Sequence, residues 1–202
     1  MISRSWVFQA LFASFFLLTG CATNIPTPVI EQQEPVIAWD PNTGHGEWKD
    51  CGTQLGERAC NFEFLDQHGN MWELYDHYGD VIILDFSTMW CSVCQYAATK
   101  VQSIQDLCEG QGLTWVTVLI QNLQGTSVSV EAAMEWAVMF DIKTAPVLAA
   151  NDDIAKPGVE GSFLIKTLPT IVVIDRDMVI RYRLDNWNEA RVISQIEELI
   201  TE

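Results

Sequence analysis

Two cysteines three residues apart, Cys91 and Cys94, are the residues whose type and spacing most directly offer chemistry. Such a pair can cycle between dithiol and disulfide, because one thiolate attacks a substrate disulfide and the other resolves the mixed disulfide. The pair lies between an apolar run, residues 81–86, and a segment of helical periodicity. Because the free N–H groups and dipole of a helix N-terminus favour a thiolate, we predict that Cys91 attacks and Cys94 resolves.

A metal site is one alternative for the same pair of cysteines. A zinc site needs two further ligands at comparable spacing. Cys51 and Cys60 are nine residues apart, and the three histidines, at positions 45, 68 and 77, form no pair with metal-site spacing. An inert structural disulfide is a second alternative, but a strand followed by Cys-x-x-Cys and a helix favours redox chemistry. We therefore predict neither a metal nor a cofactor.

Apolar runs and helical periodicity predict the elements that position the pair. Strands are predicted at 61–65 and 71–74, joined as a β-hairpin, and at 81–86, 114–120, 170–175 and 178–184. Helices are predicted over 92–109, 129–140 and 188–200, with Val130, Met134, Ala137 and Val138 on one face of the second. This order predicts an α/β fold with a mixed central β-sheet flanked by helices.

The segment from Asp85 to Cys94 reads Asp-Phe-Ser-Thr-Met-Trp-Cys-Ser-Val-Cys. It resembles the active-site segment of the thioredoxin-like superfamily, and most of all its TlpA-like, redoxin-type branch of envelope thiol–disulfide oxidoreductases. The resemblance extends over roughly residues 62–200. It implies a thioredoxin fold with an N-terminal β-hairpin extension and an insert before a strand that opens with a cis-proline, here Pro169.

The resemblance also implies roles for residues around the two cysteines. Trp90, Leu168, Pro169 and Thr170 are expected to contact substrate, although Leu168 replaces the β-branched residue usual before the cis-proline. Asp85 is expected to accept and return the proton of the resolving thiol. Burial in an apolar strand should raise the pKa of Asp85. A structural role, as the partner of a nearby lysine or as a strand-end residue, is the alternative.

Two rival functions remain open on the same fold. A thiol peroxidase is suggested by Thr88-x-x-Cys91, which resembles the peroxiredoxin motif, but the upstream proline of that motif falls at Leu84 and no active-site arginine is evident. A metallochaperone or other non-enzymatic binding lipoprotein is the second rival. Copper carriers of similar fold prefer Cys-x-x-x-Cys with a histidine near the late proline, whereas no histidine follows His77. We predict a thiol–disulfide oxidoreductase acting on protein thiols and disulfides.

The N-terminus predicts export and attachment to a membrane. Residues 1–20 have the layout of a signal peptide, and Leu18-Thr19-Gly20-Cys21 resembles the bacterial lipobox, which implies lipidation of Cys21. An ordinary signal peptide with an incidental cysteine is the alternative. Residues 21–48 are predicted to be a Pro-rich tether and residues 49–202 the thioredoxin-like domain. The domain should face the periplasm or the exterior, and Ala22 slightly favours the outer membrane.

Charge and the remaining cysteines narrow the list of partners. The formal net charge of −16 argues against nucleic-acid binding, which requires clustered cations. The expected partners are protein thiol or disulfide substrates and a membrane or soluble redox partner. In an oxidising envelope Cys51 and Cys60 are predicted to form a structural disulfide. Cys108, on the inward face of the first helix, is predicted to be a buried inert thiol.

Overall fold

The computed structural model describes residues 51–159 and 161–202. The predicted signal peptide, Cys21 with its predicted lipid and the predicted tether lie outside the described residues. Within the described residues, none of the helices combines the length and the apolar character needed to cross a membrane.

The described chain contains nine strands and three α-helices. In chain order the strands are β1 (Cys51–Gly52), β2 (Arg58–Ala59), β3 (Glu63–Leu65), β4 (Met71–Glu73), β5 (Val81–Thr88), β6 (Leu113–Gln121), β7 (Val147–Ala149), β8 (Thr170–Ile174) and β9 (Ile180–Leu184). The helices are α1 (Ser92–Leu107), α2 (Val130–Met139) and α3 (Glu189–Ile200). Two 3₁₀ helices, Leu74–His77 and Asp152–Ala155, complete the elements.

Five strands form one mixed sheet in the order β7-β6-β5-β8-β9. β5 is parallel to β6, and β6 is parallel to β7, whereas β8 runs antiparallel to both β5 and β9. Every residue of β5 is buried, because the strand is central and covered on both faces. This explains why its sequence is a continuous apolar run rather than an alternating one. The predicted thioredoxin fold is confirmed.

The core consists of two clusters, one on each face of the sheet. All three helices contribute side chains to the first cluster, and none of them contributes to the second. The second cluster is covered instead by the β3–β4 hairpin, the 3₁₀ helix Leu74–His77 and the insert after β7, through residues such as Trp72 and Phe163. The helices therefore lie on one face, and the hairpin and insert form the other layer.

Two local features differ from the sequence predictions. The short apolar run at 146–150 forms β7, a third parallel strand that had not been assigned as one. In α2 the predicted inward face is wrong, because Met134 and Val138 are 48% and 77% exposed. Ala133, Trp136 and Ala137 point into the core instead. α2 is apolar around most of its circumference, so periodicity alone does not identify its buried face.

Candidate active site

Cys91 lies at the N-cap of α1, immediately after the turn that follows β5. A disulfide joins Cys91 to Cys94, with their Cα atoms 5.2 Å apart. The backbone N–H of Cys94 donates a hydrogen bond to Cys91 Sγ over 3.2 Å. Cys91 retains 9% exposure, whereas Cys94 is fully buried. The structure therefore places the two sulfurs at the helix end that the sequence predicted.

This geometry favours a thiolate on Cys91 once the disulfide is reduced. An N-capping acceptor satisfies one of the N–H groups that a helix N-terminus leaves without a partner, and negative charge there is stabilised by the helix dipole. The first turn of α1 contains no acidic residue that would oppose this charge. Cys91 is also the more accessible sulfur, so it is the one that an incoming disulfide meets first.

Asp85 lies in β5 on the same face as the dithiol. Alternation along the strand places Val81 and Ile83 in the cluster that contains Cys91 and Cys94, and Asp85 shares their parity. Its side chain is fully buried, and desolvation raises its pKa to about 7. Ser87 opposes this rise, because its hydroxyl donates a 2.7 Å hydrogen bond to Asp85 Oδ1.

The second carboxylate oxygen of Asp85 has no hydrogen-bond partner in the part of the chain that the structure describes. A buried oxygen without a partner is costly to ionise, and protonation relieves that cost. Asp85 can therefore hold a proton near neutral pH on the dithiol side of the sheet. This is the chemistry that a general acid or base for a thiol requires.

Trp90 is half-exposed beside Cys91, and its indole is held in place. Its Nε1–H donates to Gln121 Oε1 over 3.1 Å. Gln121 ends β6 and is the register partner of Thr88 at the end of β5. Sequence analysis did not single out Gln121. Its position at the carboxyl end of a parallel strand, where functional side chains of α/β sheets gather, was the signal available.

The segment Leu168-Pro169-Thr170 enters β8, the antiparallel neighbour of β5. The Leu168–Pro169 peptide bond is cis. Thr170 is the register partner of Phe86, and its hydroxyl donates to the carbonyl of Thr167 over 2.8 Å. Leu168 is half-buried and packs against both core clusters. The sheet thus brings this segment to the strand that leads to Cys91.

The other cysteines lie apart from this arrangement. Cys51 and Cys60 form a second disulfide, with their Cα atoms 4.8 Å apart, across the loop between β1 and β2. Cys108 follows α1, is buried and belongs to no disulfide. Among residues 51–159 and 161–202 there is no cluster of three or more His, Cys, Asp or Glu side chains arranged to hold a metal ion.

The fold and the Cys91–Cys94 disulfide define a thioredoxin-fold thiol–disulfide oxidoreductase. The chain belongs to the AhpC/TSA family, whose model matches residues 55–183. It is similar to the "Thioredoxin-like protein YneN" of Bacillus subtilis, with 24% identity over 66% of this chain and 72% of that protein. It is also similar to the "Thiol-disulfide oxidoreductase ResA" of Bacillus cereus, with 24% identity over 61% of this chain and 65% of that protein.

Solved structures show the same fold at low identity. A putative thiol:disulfide interchange protein DsbE from Chlorobium tepidum superposes with a TM-score of 0.59 and 20% identity, over 74% of this chain and 97% of that one. The pneumococcal exposed lipoprotein thioredoxin Etrx1 from Streptococcus pneumoniae gives 0.53 and 21%, over 69% and 98%. Peroxidoxin BcpB from Mycobacterium tuberculosis gives 0.56 and 17%, over 74% and 97%.

Proposed function

We propose that this protein exchanges disulfides with protein substrates in a bacterial cell envelope, using Cys91 as the attacking sulfur and Cys94 as the resolving sulfur. The observation that carries the proposal is the hydrogen bond from the Cys94 N–H to Cys91 Sγ at the start of α1. It marks Cys91 as the sulfur whose negative charge the helix stabilises.

In the reducing direction, the Cys91 thiolate attacks one sulfur of a substrate disulfide. A bond forms between Cys91 and that sulfur, and the other substrate sulfur leaves as a thiolate. The Cys94 thiolate then attacks Cys91 Sγ, which releases the second substrate thiolate and forms the Cys91–Cys94 disulfide. Two electrons pass from the protein to the substrate, and the oxidising direction is the reverse of these steps.

Asp85 is the proposed proton acceptor for Cys94. Before Cys94 attacks, its thiol must lose a proton, and a buried carboxylate with a pKa of about 7 is matched to that task near neutral pH. The same raised pKa allows Asp85 to return the proton when the dithiol is restored. The proposed substrate contacts are Trp90, which is exposed beside Cys91, and Leu168, Pro169 and Thr170 beside β5.

An envelope location is proposed from the N-terminal sequence and the relatives. Leu18 to Cys21 resembles a lipobox, so Cys21 is the proposed site of lipidation, with the domain facing the periplasm or exterior and an outer-membrane location slightly favoured. One protein of the same fold is described as a pneumococcal exposed lipoprotein thioredoxin. The substrates would be exported proteins with cysteines, and a membrane or soluble redox partner would restore the dithiol.

Trapping of mixed disulfides tests the proposed division of labour. We expect Cys94→Ser to accumulate substrate proteins linked through Cys91, because the resolving attack is lost while the first attack remains. The measurement is non-reducing electrophoresis with and without dithiothreitol, after incubation of the reduced variant with insulin. The double variant Cys91→Ser/Cys94→Ser is the control that should trap nothing. Trapping through Cys94 in Cys91→Ser instead would reverse the assignment.

Peroxide reduction is a second candidate, favoured by the AhpC/TSA family match and the peroxidoxin of similar fold. A peroxidase needs only one sulfur to attack peroxide, so its first turnover would survive Cys94→Ser. Rapid peroxide consumption by that variant would establish the peroxidase. Disulfide exchange that depends on both cysteines, without such consumption, supports the oxidoreductase.

A further inference from the structure

A cleft of about 340 Å³ opens beside Trp90, and we call it the insert cleft because its far wall is the insert between β7 and Pro169. Trp90 and Leu168, two of its lining residues, directly precede Cys91 and Pro169 in the sequence. Much of the remaining lining is apolar, through Ile120, Ala155, Pro157 and Ile165. The insert cleft is therefore continuous with the proposed dithiol site.

The two walls of the insert cleft are tied together by polar contacts. Trp90 Nε1 donates to Gln121 Oε1, and the Gln121 side chain also hydrogen-bonds the Asp152 carboxylate. Asp152 in turn pairs with Lys156 at 2.7 Å. This chain of contacts holds the active-site segment and the insert in one arrangement before any substrate arrives. A pre-formed cleft binds more tightly, because less ordering is left to the binding step.

The charges at the rim favour some occupants over others. Lys156 is neutralised by Asp152 and by Asp153, whose carboxylate lies 3.1 Å from Lys156 Nζ. Lys166 also lines the insert cleft and is exposed, and it has no ion pair within the described residues. The rim thus carries an unpaired positive charge in a chain whose net charge is −16. A lysine or arginine side chain would be repelled there.

We propose that the insert cleft selects substrates by binding a large apolar side chain next to the cysteine that Cys91 attacks, and that it rejects a basic side chain at that position. The inference rests on the proposed function. For Cys91 to reach a substrate sulfur, the residues flanking that sulfur must pass close to Trp90 and Leu168. An apolar side chain there loses its contact with water against Ile120 and Ile165, which is favourable.

Peptides of defined sequence test the selectivity directly. Each peptide contains one cysteine, activated as a mixed disulfide with thionitrobenzoate, and carries leucine, alanine or lysine either before or after that cysteine. The full chain, purified in detergent, reduced and freed of reductant, is mixed with each peptide, and release of thionitrobenzoate is followed by absorbance. At one of the two positions we expect leucine to react about tenfold faster than alanine, as an apolar pocket discriminates, and lysine to react slower than alanine.

The outcomes separate the insert cleft from the proposed function. Equal rates for leucine and alanine at both positions, with release still dependent on Cys91, would overturn the insert cleft and leave the oxidoreductase intact. Release that is unaffected by Cys91→Ser for every peptide would overturn the proposed function itself.

Two variants test the walls, with a matched control. Ala155→Phe fills the insert cleft and should abolish the leucine preference while the alanine peptide keeps its rate; circular dichroism checks its fold. Lys166→Gln should bring the lysine peptide towards the alanine rate. Lys143→Gln is the control, because Lys143 pairs with Asp141 outside the cleft lining. A folded Ala155→Phe protein that still prefers leucine would contradict the proposal, and if it does not fold, Lys166→Gln and the wild-type series still decide.

Discussion

The two disulfides of the described chain join Cα atoms at similar separations, 4.8 Å for Cys51–Cys60 and 5.2 Å for Cys91–Cys94, but their surroundings differ. Cys91 Sγ accepts a backbone N–H at the start of a 16-residue helix. Cys51 and Cys60 instead flank a loop between two strands of two residues each. The reactivity of a sulfur is therefore set by the groups that stabilise its thiolate, and the span of the bridge does not distinguish the two bonds.

The loop between Cys51 and Cys60 is also held by its backbone. The Gly56 N–H donates to the carbonyl of Ile180, and the Ile180 N–H donates to the carbonyl of Glu57. These bonds attach the loop to the start of β9, which is an edge strand of the sheet. Covering an edge strand limits its pairing with other chains. We therefore infer that this disulfide fastens a cover over the sheet edge.

Removing sulfurs from each disulfide in turn tests the comparison at its largest expected effect. With Cys91→Ser, dithiothreitol-driven reduction of insulin should fall to the rate without protein, because no attacking sulfur remains at the helix end. The double variant Cys51→Ser/Cys60→Ser should keep the rate of the parent protein. The measurement is the onset and slope of insulin precipitation. Loss of activity in the second variant would show that the two disulfides act together.

The pH dependence of stability sharpens the comparison, because a buried carboxyl shares the sheet face of Cys91–Cys94. Below about pH 4, Asp85 is protonated in both folded and unfolded chains. As the pH rises, the unfolded chain releases this proton first, so stability is lost until the pH passes the folded pKa of about 7. The rise of the pKa from 3.8 to about 7 corresponds to about 4 kcal/mol. Asp85→Asn should therefore stabilise the protein by up to that amount at about pH 8, and little at about pH 4.

Urea denaturation of the oxidised protein at the two pH values measures this difference. Ser87→Ala is the matched variant, because it removes the hydrogen bond that lowers the pKa of Asp85. That variant should lose more stability than the parent between the two pH values, which is the opposite direction from Asp85→Asn. An Asp85→Asn protein with the same pH dependence as the parent would show that Asp85 is ionised at little cost in the fold.

The sequence was sufficient for the parts of the fold and site that depend on local pattern. The Cys-x-x-Cys spacing, the apolar run of β5 and the periodicity of α1 identified the dithiol and its helix, because cap and strand are adjacent in the chain. The buried face of α2 was not predictable in this way. Met134 and Val138 have the spacing of a buried stripe, yet the core accepts Trp136 and its neighbours instead. That choice depends on the shape of the first cluster, which forms only in the tertiary structure.

Contacts between distant segments were equally invisible in the sequence. Gln121 links Trp90 to Asp152 across 31 residues on each side. Neither the end of β6 nor the polar segment after β7 carries a motif that announces this link. The insert was recognisable as polar sequence before Pro169, but its function as the wall of a cleft follows from where the sheet places it.

Removing the Cys51–Cys60 disulfide should have the smallest of the three effects, and its form separates the disulfide from the carboxyl. Closing a loop of this length is worth about 3 kcal/mol through the entropy of the unfolded chain. The hydrogen bonds of the loop to Met178 and Ile180 remain, so the folded structure has no reason to change. The double variant Cys51→Ser/Cys60→Ser should thus be less stable than the parent in urea by a similar amount at about pH 4 and about pH 8, because no ionisable group differs at either pH. If the loss grew with pH, or if reductase activity fell with stability, the loop would be coupled to the dithiol side of the sheet, and the two disulfides would not be independent.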